Sequence, residues 1–355
     1  MATPSPINRL LALDYLRGFF ILVIIIDHLW RWPSVFGIFT GQGQLWISSA
    51  EGFVIISGLL VGYIRGYKER DAPFSVVARK LLKRALLLYV WLIGATLIYT
   101  AAIWYLPTVS PMPWIEIPHG NWLDLIAKTL VFTNAYEWVY FLYLYVIFLL
   151  LSPLVIWLLR KGQAHNIVVI TMALSIIGEI AHIEWLEWLP VFFLPAVAGY
   201  YLPAIQHWWR SQSPVSRRLR SWLLVGGIGC ILIASAICTF IIPDNKIAEA
   251  VNDFFTKEEV LYTWRIALAL VAFAAFALLF QRLLPWLRRW IGWLLLPFGT
   301  RSLTAYIIHG TLICFLALFF VNTDNIWQNT AYGIFTVMGT WALLRIPLIQ
   351  QLVPR

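Results

Sequence analysis

Apolar stretches long enough to cross a bilayer recur ten times along this chain, and no other feature restricts its fold as tightly. They run over 16–32, 45–64, 85–106, 138–159, 166–183, 188–205, 222–242, 263–281, 302–321 and 329–348. Each is near the roughly 17–25 residues that a helix needs to span hydrocarbon. Inside lipid every backbone N–H and C=O must be satisfied within the protein, so segments of this kind form helices. Of the 355 residues, 61% are apolar and 12% charged, against roughly 25% charged in a soluble domain. The sequence therefore predicts an all-α polytopic membrane protein of about ten spanning helices, built as one membrane-embedded domain over 1–355. Shorter apolar pieces at 123–134 and 291–297 read as re-entrant or interfacial. No small-residue cleavage site follows the first apolar run, which is expected to be an uncleaved signal anchor.

Loop charges predict the orientation. Basic residues concentrate in every second loop, from Arg65 to Arg84, at Arg160 and Lys161, from Arg210 to Arg220, and from Arg282 to Arg289. The intervening loops are richer in acid, with Glu116, Asp124, Glu184, Glu187 and Glu258 among them. The positive-inside rule then places both termini in the cytoplasm of a multi-pass protein of the inner, cytoplasmic membrane. The net charge of +9 follows from those loops and implies no nucleic-acid partner; the partners expected from composition are membrane lipids. The run Phe74–Arg84 has basic and apolar residues at helical spacing and reads as an interfacial helix on anionic lipid. Cys230, Cys238 and Cys314 all lie in apolar runs and read as buried, inert thiols. No metal-ligand spacing, phosphate-cradling loop or nucleophile elbow is present. Nothing in the chain sets an oligomeric state.

Ionisable residues inside membrane helices are costly and usually face a cavity or a partner. The first helix carries three, Arg17, Asp27 and His28. Eleven residues separate Arg17 from His28, so at about 100° each they fall within roughly 20° of one face, some 16 Å apart along the axis. On the second helix Glu51 is expected at the depth of His28, where a carboxylate beside an imidazole would orient it as a general base. The alternative is a structural ion pair between two helices. Gly58 and Gly62 form a small-xxx-small pair for close helix approach, and Ser57 is read as a bend and a backbone contact. Near the end of the chain Arg301, Ser302, Tyr306 and His309 place a polar stripe on a ninth helix, with spacings of three and four residues. Arg265 is a candidate to receive an anionic group.

These residues resemble a known family. Arg17-x(10)-His28 after Leu13-Asp14 resembles the signature of the membrane acyltransferase-3 superfamily. Ile26-Asp27-His28 and Ser49-Ala-Glu51-Gly-Phe-Val-Ile-Ile-Ser57-Gly58 look most like its OpgC branch, which includes proteins that succinylate periplasmic glucans. The stretches Leu142-Tyr143-Leu-Tyr145, Leu151-Ser-Pro153 and Gly299 to His309 are similar as well. Ser48-Ser49-Ala50-Glu51 stands where that branch carries Asp-Ala-Ala-Glu. The resemblance implies an O-acyltransferase moving an acyl group from cytosolic acyl-CoA to a hydroxyl of an extracytoplasmic carbohydrate. It implies succinyl-CoA or acetyl-CoA as co-substrate, no tightly bound cofactor and no metal. On that reading His28 is the base, with Asp27 or Glu51 orienting it. Arg17 and Arg301 meet the CoA end, and Ser57, Tyr306 and His309 line the site. The competing expectation is a transporter or flippase carrying its solute between midplane charges.

Overall fold

A segment surrounded by lipid can close its hydrogen bonds only on itself, and every regular element among the described residues is helical. The computed structural model describes residues 6–107, 109–110, 116–256 and 263–352. In chain order come α1 (Pro6–Asp27), α2 (Ser49–Leu60, extended by π-helical turns over Val61–Lys68), α3 (Phe74–Tyr105), α4 (Trp122–Leu130) and α5 (Tyr140–Arg160). Next are α6 (Ala164–Ala181), α7 (Leu189–Tyr200), α8 (Leu202–Ser211), α9 (Pro214–Ala236) and α10 (Lys246–Thr256). The chain closes with α11 (Thr263–Trp290), α12 (Gly292–Thr300), α13 (Ser302–Phe319), α14 (Ile326–Leu343) and α15 (Pro347–Leu352).

All ten predicted segments are occupied by helices. Seven described helices are long and apolar enough to cross a membrane, and an eighth span arises if the chain from Glu184 through α7 and α8, bent by 67°, is counted as one. The remaining two of the ten, α1 and α14, fall short of that apolarity. Arg9, Asp14, Arg17 and Asp27 interrupt α1, and α14 opens on Gln328, Asn329 and Thr330. The basic run Phe74–Arg84 is not a separate interfacial helix: it is the first part of the 32-residue α3. Cys314 is buried as expected, but Cys230 is exposed on α9 and Cys238 only half-buried. Just 11% of the span containing α9 is buried, against 72% of α13. The rim of the bundle is therefore α9 and its centre α13.

α1 is the axle of the bundle, packed against α2, α11, α12 and α13. Its closest approach is to α12, where two glycines let backbone meet backbone. A Cβ at Gly18 would lie 2.1 Å from the Leu295 carbonyl oxygen, and one at Gly299 would lie 1.8 Å from that of Asp14. The expected close packing at Gly58 and Gly62 is present too, against α7, where added Cβ atoms would meet the carbonyl oxygens of Phe192 and Ala196 at 1.9 and 1.8 Å. The short apolar piece at 291–297 is thus part of the core contact of α1.

The piece at 123–134 descends beside α3. Trp122 stacks on Tyr105 at the end of α3, and the Leu130 carbonyl accepts from Tyr89 at 2.7 Å, sixteen residues back along that helix. The chain then turns, and the Tyr136 N–H donates to Thr96, so 131–136 is irregular backbone at mid-helix depth, followed by a single 3-10 turn over Glu137–Val139. Arg160, at the end of α5, donates to the carbonyls of Ala72 and Glu69 at 2.9 and 2.6 Å. That bond sets the basic loop before α3 and the end of α5 on one face, as their shared charge predicts.

Backbone cannot retreat from a new methyl group as a flexible side chain can. Gly299→Ala should therefore cost about 3 kcal/mol or more, at or above the upper end of overpacking effects. Gly94→Ala, with nothing within 4 Å of its Cβ, should be neutral. Thermal unfolding of the two purified variants in detergent compares them directly.

Candidate active site

The far end of α1 and the middle of α13 meet at two imidazoles. His28 Nδ1 lies 3.0 Å from His309 Nε2, with ring centroids 5.1 Å apart. His309 is fully buried, and its Nδ1 is hydrogen-bonded to the Tyr306 carbonyl one turn earlier in α13. His28 is only partly buried, so it is the less enclosed member of the pair. The Tyr306 ring sits 6.0 Å from that of His28, and its hydroxyl bonds to the backbone of Phe141.

This meeting is held by an arginine that no motif in the sequence marks as part of a site. Arg31 is buried, and its guanidinium donates to the carbonyls of Leu316, Phe320 and Val321 at 3.1, 2.7 and 2.9 Å, and to the Ser110 hydroxyl at 3.3 Å. Those carbonyls belong to the last turn of α13 and the residues after it, where a helix leaves acceptors without internal partners. Arg31 follows His28 by three residues, so the staple fixes α13 against the end of α1 beside the histidine pair. The stretch 29–50 holds this one charge and no acid to pair with it, and that was the signal for it.

Glu51 is not the partner of His28. It occupies the first turn of α2, where its carboxylate accepts from the Ser48 N–H in a capping box. Its other oxygen binds Arg265 of α11 at 2.6 Å, with Glu51 only 1% exposed. The residue at the third helical position is taken by the helix end, which is why the depth argument from sequence misassigned it. Arg265 does receive an anion, and that anion is Glu51. Asp27 is not bonded to His28 either; the Thr40 hydroxyl lies within its reach, and Gly43 packs against its carboxylate. The Ser57 hydroxyl donates to the Phe53 carbonyl at 2.9 Å and is buried, so it presents no free group as a lining residue.

Three turns back along α1, at the middle of that helix, Arg17 stands over the Phe53 ring, 5.5 Å from its centroid. Its charged and polar neighbours are Tyr145, Arg84 and Asp14. The Nε atoms of Arg17 and Arg84 are both buried with no hydrogen-bond partner among the described residues. Arg84 stands 5.9 Å from the Tyr145 ring. Its place was legible: it falls on the stripe Val77, Leu81, Leu88 and Leu92 that α3 buries, and a cation on a buried stripe wants a reason. Arg301, expected with Arg17, donates to Gln350 of α15 at 2.7 Å.

Between the two ends runs a continuous aromatic wall. Phe53 meets Phe141 at 5.4 Å, Phe141 meets Tyr306 at 5.7 Å and Tyr145 at 6.3 Å. Phe141 and Tyr145 are four residues apart on α5 and so share a face. Two cations with spare donors at one end and the less enclosed imidazole at the other, about 16 Å apart along α1, can hold an anionic head and serve a proton transfer at its distant tip.

Breaking a buried ion pair by removing one partner strands the other charge. Arg265→Ala should cost about 3–5 kcal/mol, whereas the double variant Glu51→Gln with Arg265→Met should recover most of it. Unfolding temperatures of the three proteins test the pair as a strut between α2 and α11.

No curated protein and no solved structure matches this sequence. The family described as OpgC protein does, over residues 9–348. That match takes in Arg17 and His28, the Glu51 turn and the histidine of α13, and this multi-pass all-α membrane protein belongs to the OpgC family.

Proposed function

We propose that the protein is a membrane O-acyltransferase of the acyltransferase-3 superfamily, taking an acyl group from acyl-CoA and delivering it to a hydroxyl of an extracytoplasmic glycan. One observation carries this reading: the unpaired Arg17 and Arg84 and the partly buried His28 lie at opposite ends of a single aromatic wall. Family membership supports the acyl chemistry and the glucan as acceptor.

The basic loop face is then cytoplasmic, in the inner membrane. Guanidinium groups are suited to phosphate because their planar fork offers paired donors, so Arg17 and Arg84 receive the phosphates of succinyl-CoA or acetyl-CoA. Arg301, through Gln350, braces the same end. The acyl thioester extends along Phe53, Phe141 and Tyr306 to His28. There the acceptor hydroxyl gives its proton to His28 as its oxygen bonds to the thioester carbonyl carbon. The C–S bond breaks, and His28 returns the proton to the departing CoA sulfur. Acyl-CoA enters as substrate, and no resident cofactor takes part.

The transporter reading finds less support. A 540 Å³ cavity opens between α1, α2, α7 and α11, but it is walled by Leu13, Ile55, Leu59, Leu194 and Phe273. That lining suits hydrocarbon better than a polar solute.

General base catalysis of this kind contributes about 100-fold or more. His28→Ala, folded and purified, should lose at least about 100-fold of the rate at which labelled acyl group passes from succinyl-CoA or acetyl-CoA to gluco-oligosaccharide. Activity within tenfold of the parent would remove His28 from the reaction. Arg17→Ala should act on the donor side and raise KM for acyl-CoA about tenfold or more, the loss of roughly one charge-assisted bond.

A further inference from the structure

The surroundings of His309 fix which of its nitrogens holds hydrogen. Its Nδ1 is bonded to the Tyr306 carbonyl oxygen, and a carbonyl only accepts, so Nδ1 bears the hydrogen. A neutral His309 therefore presents a lone pair at Nε2. That atom faces Nδ1 of His28 at 3.0 Å, and two lone pairs do not bond. His28 must donate from Nδ1. The direction of the chain is thus set from its carbonyl end: His28 Nδ1–H to His309 Nε2, then His309 Nδ1–H to the Tyr306 oxygen. What remains is Nε2 of His28, a lone pair on the less enclosed of the two rings.

We infer that His309 is a positioning residue for acyl transfer, holding His28 in the tautomer and plane that leave its Nε2 free to take the acceptor's proton. The inference rests on the proposed role of His28 as base. It deepens that role by assigning to an imidazole the task a carboxylate performs in a Ser-His-Asp triad.

The nearby carboxylates do not fill that position. Asp27 faces Thr40 and Gly43, and Glu51 is bound by Arg265 and Ser48. The ionisable groups nearest His28 are His309 and Tyr306 from α13 and Asp27 from α1 itself. A neutral partner also suits this depth. A carboxylate would bring a second charge into the membrane interior before the reaction starts, whereas His309 stays neutral throughout and the charge appears only on His28 when it takes the proton.

During transfer the acceptor O–H bond breaks, and its proton adds to Nε2 of His28. The imidazolium so formed keeps its Nδ1–H on His309, and that bond is now charge-assisted and about twice as strong. His309 gains and loses no proton over the cycle. Its contribution appears as charge develops, so it belongs in kcat and not in KM.

Two near-isosteric variants separate this role from a structural one. An Asn amide can stand in for Nδ1 of a histidine and a Gln amide for Nε2. His309→Asn keeps a donor for Tyr306 and loses the acceptor for His28; His309→Gln keeps the acceptor. With succinyl-CoA or acetyl-CoA as donor and gluco-oligosaccharide as acceptor, H309N should lower kcat about 100-fold with KM for acyl-CoA changed less than threefold. Its acid limb in kcat against pH should move to lower pH, because the imidazolium has lost its acceptor and holds its proton less well. H309Q should recover at least tenfold of the lost kcat. Equal kcat in the two variants, or a loss confined to KM, overturns the inference. An active His28→Ala enzyme overturns the reading of His28 itself, whatever the two His309 variants do, so the two failures are told apart.

Discussion

Two helices can bring their side chains into register at a chosen depth only if their backbones are held at a fixed distance somewhere along their length. Here that point is the passage of α1 over α12 at Gly18 and Gly299. With no hydrophobic force between helices in lipid, close van der Waals contact between backbones is what favours association. α12 leads directly into α13, so the contact fixes where α13 begins relative to α1. Arg31 fixes where it ends. The His28–His309 pair lies between these two fastenings and inherits its geometry from them, not from any strong interaction of its own.

The same economy sorts the buried charges. Each ionisable group in a membrane protein is expensive, and the chain resolves the expense in two different ways. Glu51 and Arg265 satisfy one another and Ser48 at the end of α2, the arrangement of a strut whose members have spent their hydrogen-bonding capacity within the protein. Arg17 and Arg84 stay side by side with buried Nε atoms lacking partners among the described residues. Like charges placed together and left with spare donors are poor building material. Their arrangement is intelligible when an anion visits, which is the property a donor-binding mouth requires.

Much of the fold was legible because the physics behind it is local. Segment length and backbone satisfaction located a helix in each of the ten segments, seven or eight of them long and apolar enough to span, and glycine spacing located the contact of α2 with α7. The face shared by Arg17 and His28 followed from helical geometry alone. What sequence could not supply was partnership between residues far apart in the chain. Helical depth put Glu51 beside His28, but a capping box and an arginine 214 positions away claimed it first. His309 was visible as a polar residue on a membrane helix, yet its pairing with a residue 281 positions earlier depends on the α1–α12 contact. Arg31 and Arg84 broke local patterns of charge and burial, and those breaks were the available clues.

The irregular segment 131–136, which leads into the 3-10 turn Glu137–Val139, completes the logic of the site. Backbone without helical bonds is tolerated at membrane depth only when it is buried in protein or borders water. Part of this segment is buried: Tyr136 donates its N–H to Thr96 and packs its ring on Tyr99. Glu137, the next residue, is exposed at about the level where α3 is still some 13 Å from its end. A carboxylate there needs water and not lipid around it. Glu137 has Tyr306 among its electrostatic neighbours, and the Tyr306 ring is part of the aromatic wall. The segment therefore brings an exposed carboxylate beside the wall that leads to His28. On the proposed reading of His28 as the base, water at that depth would let a polar hydroxyl reach a membrane helix.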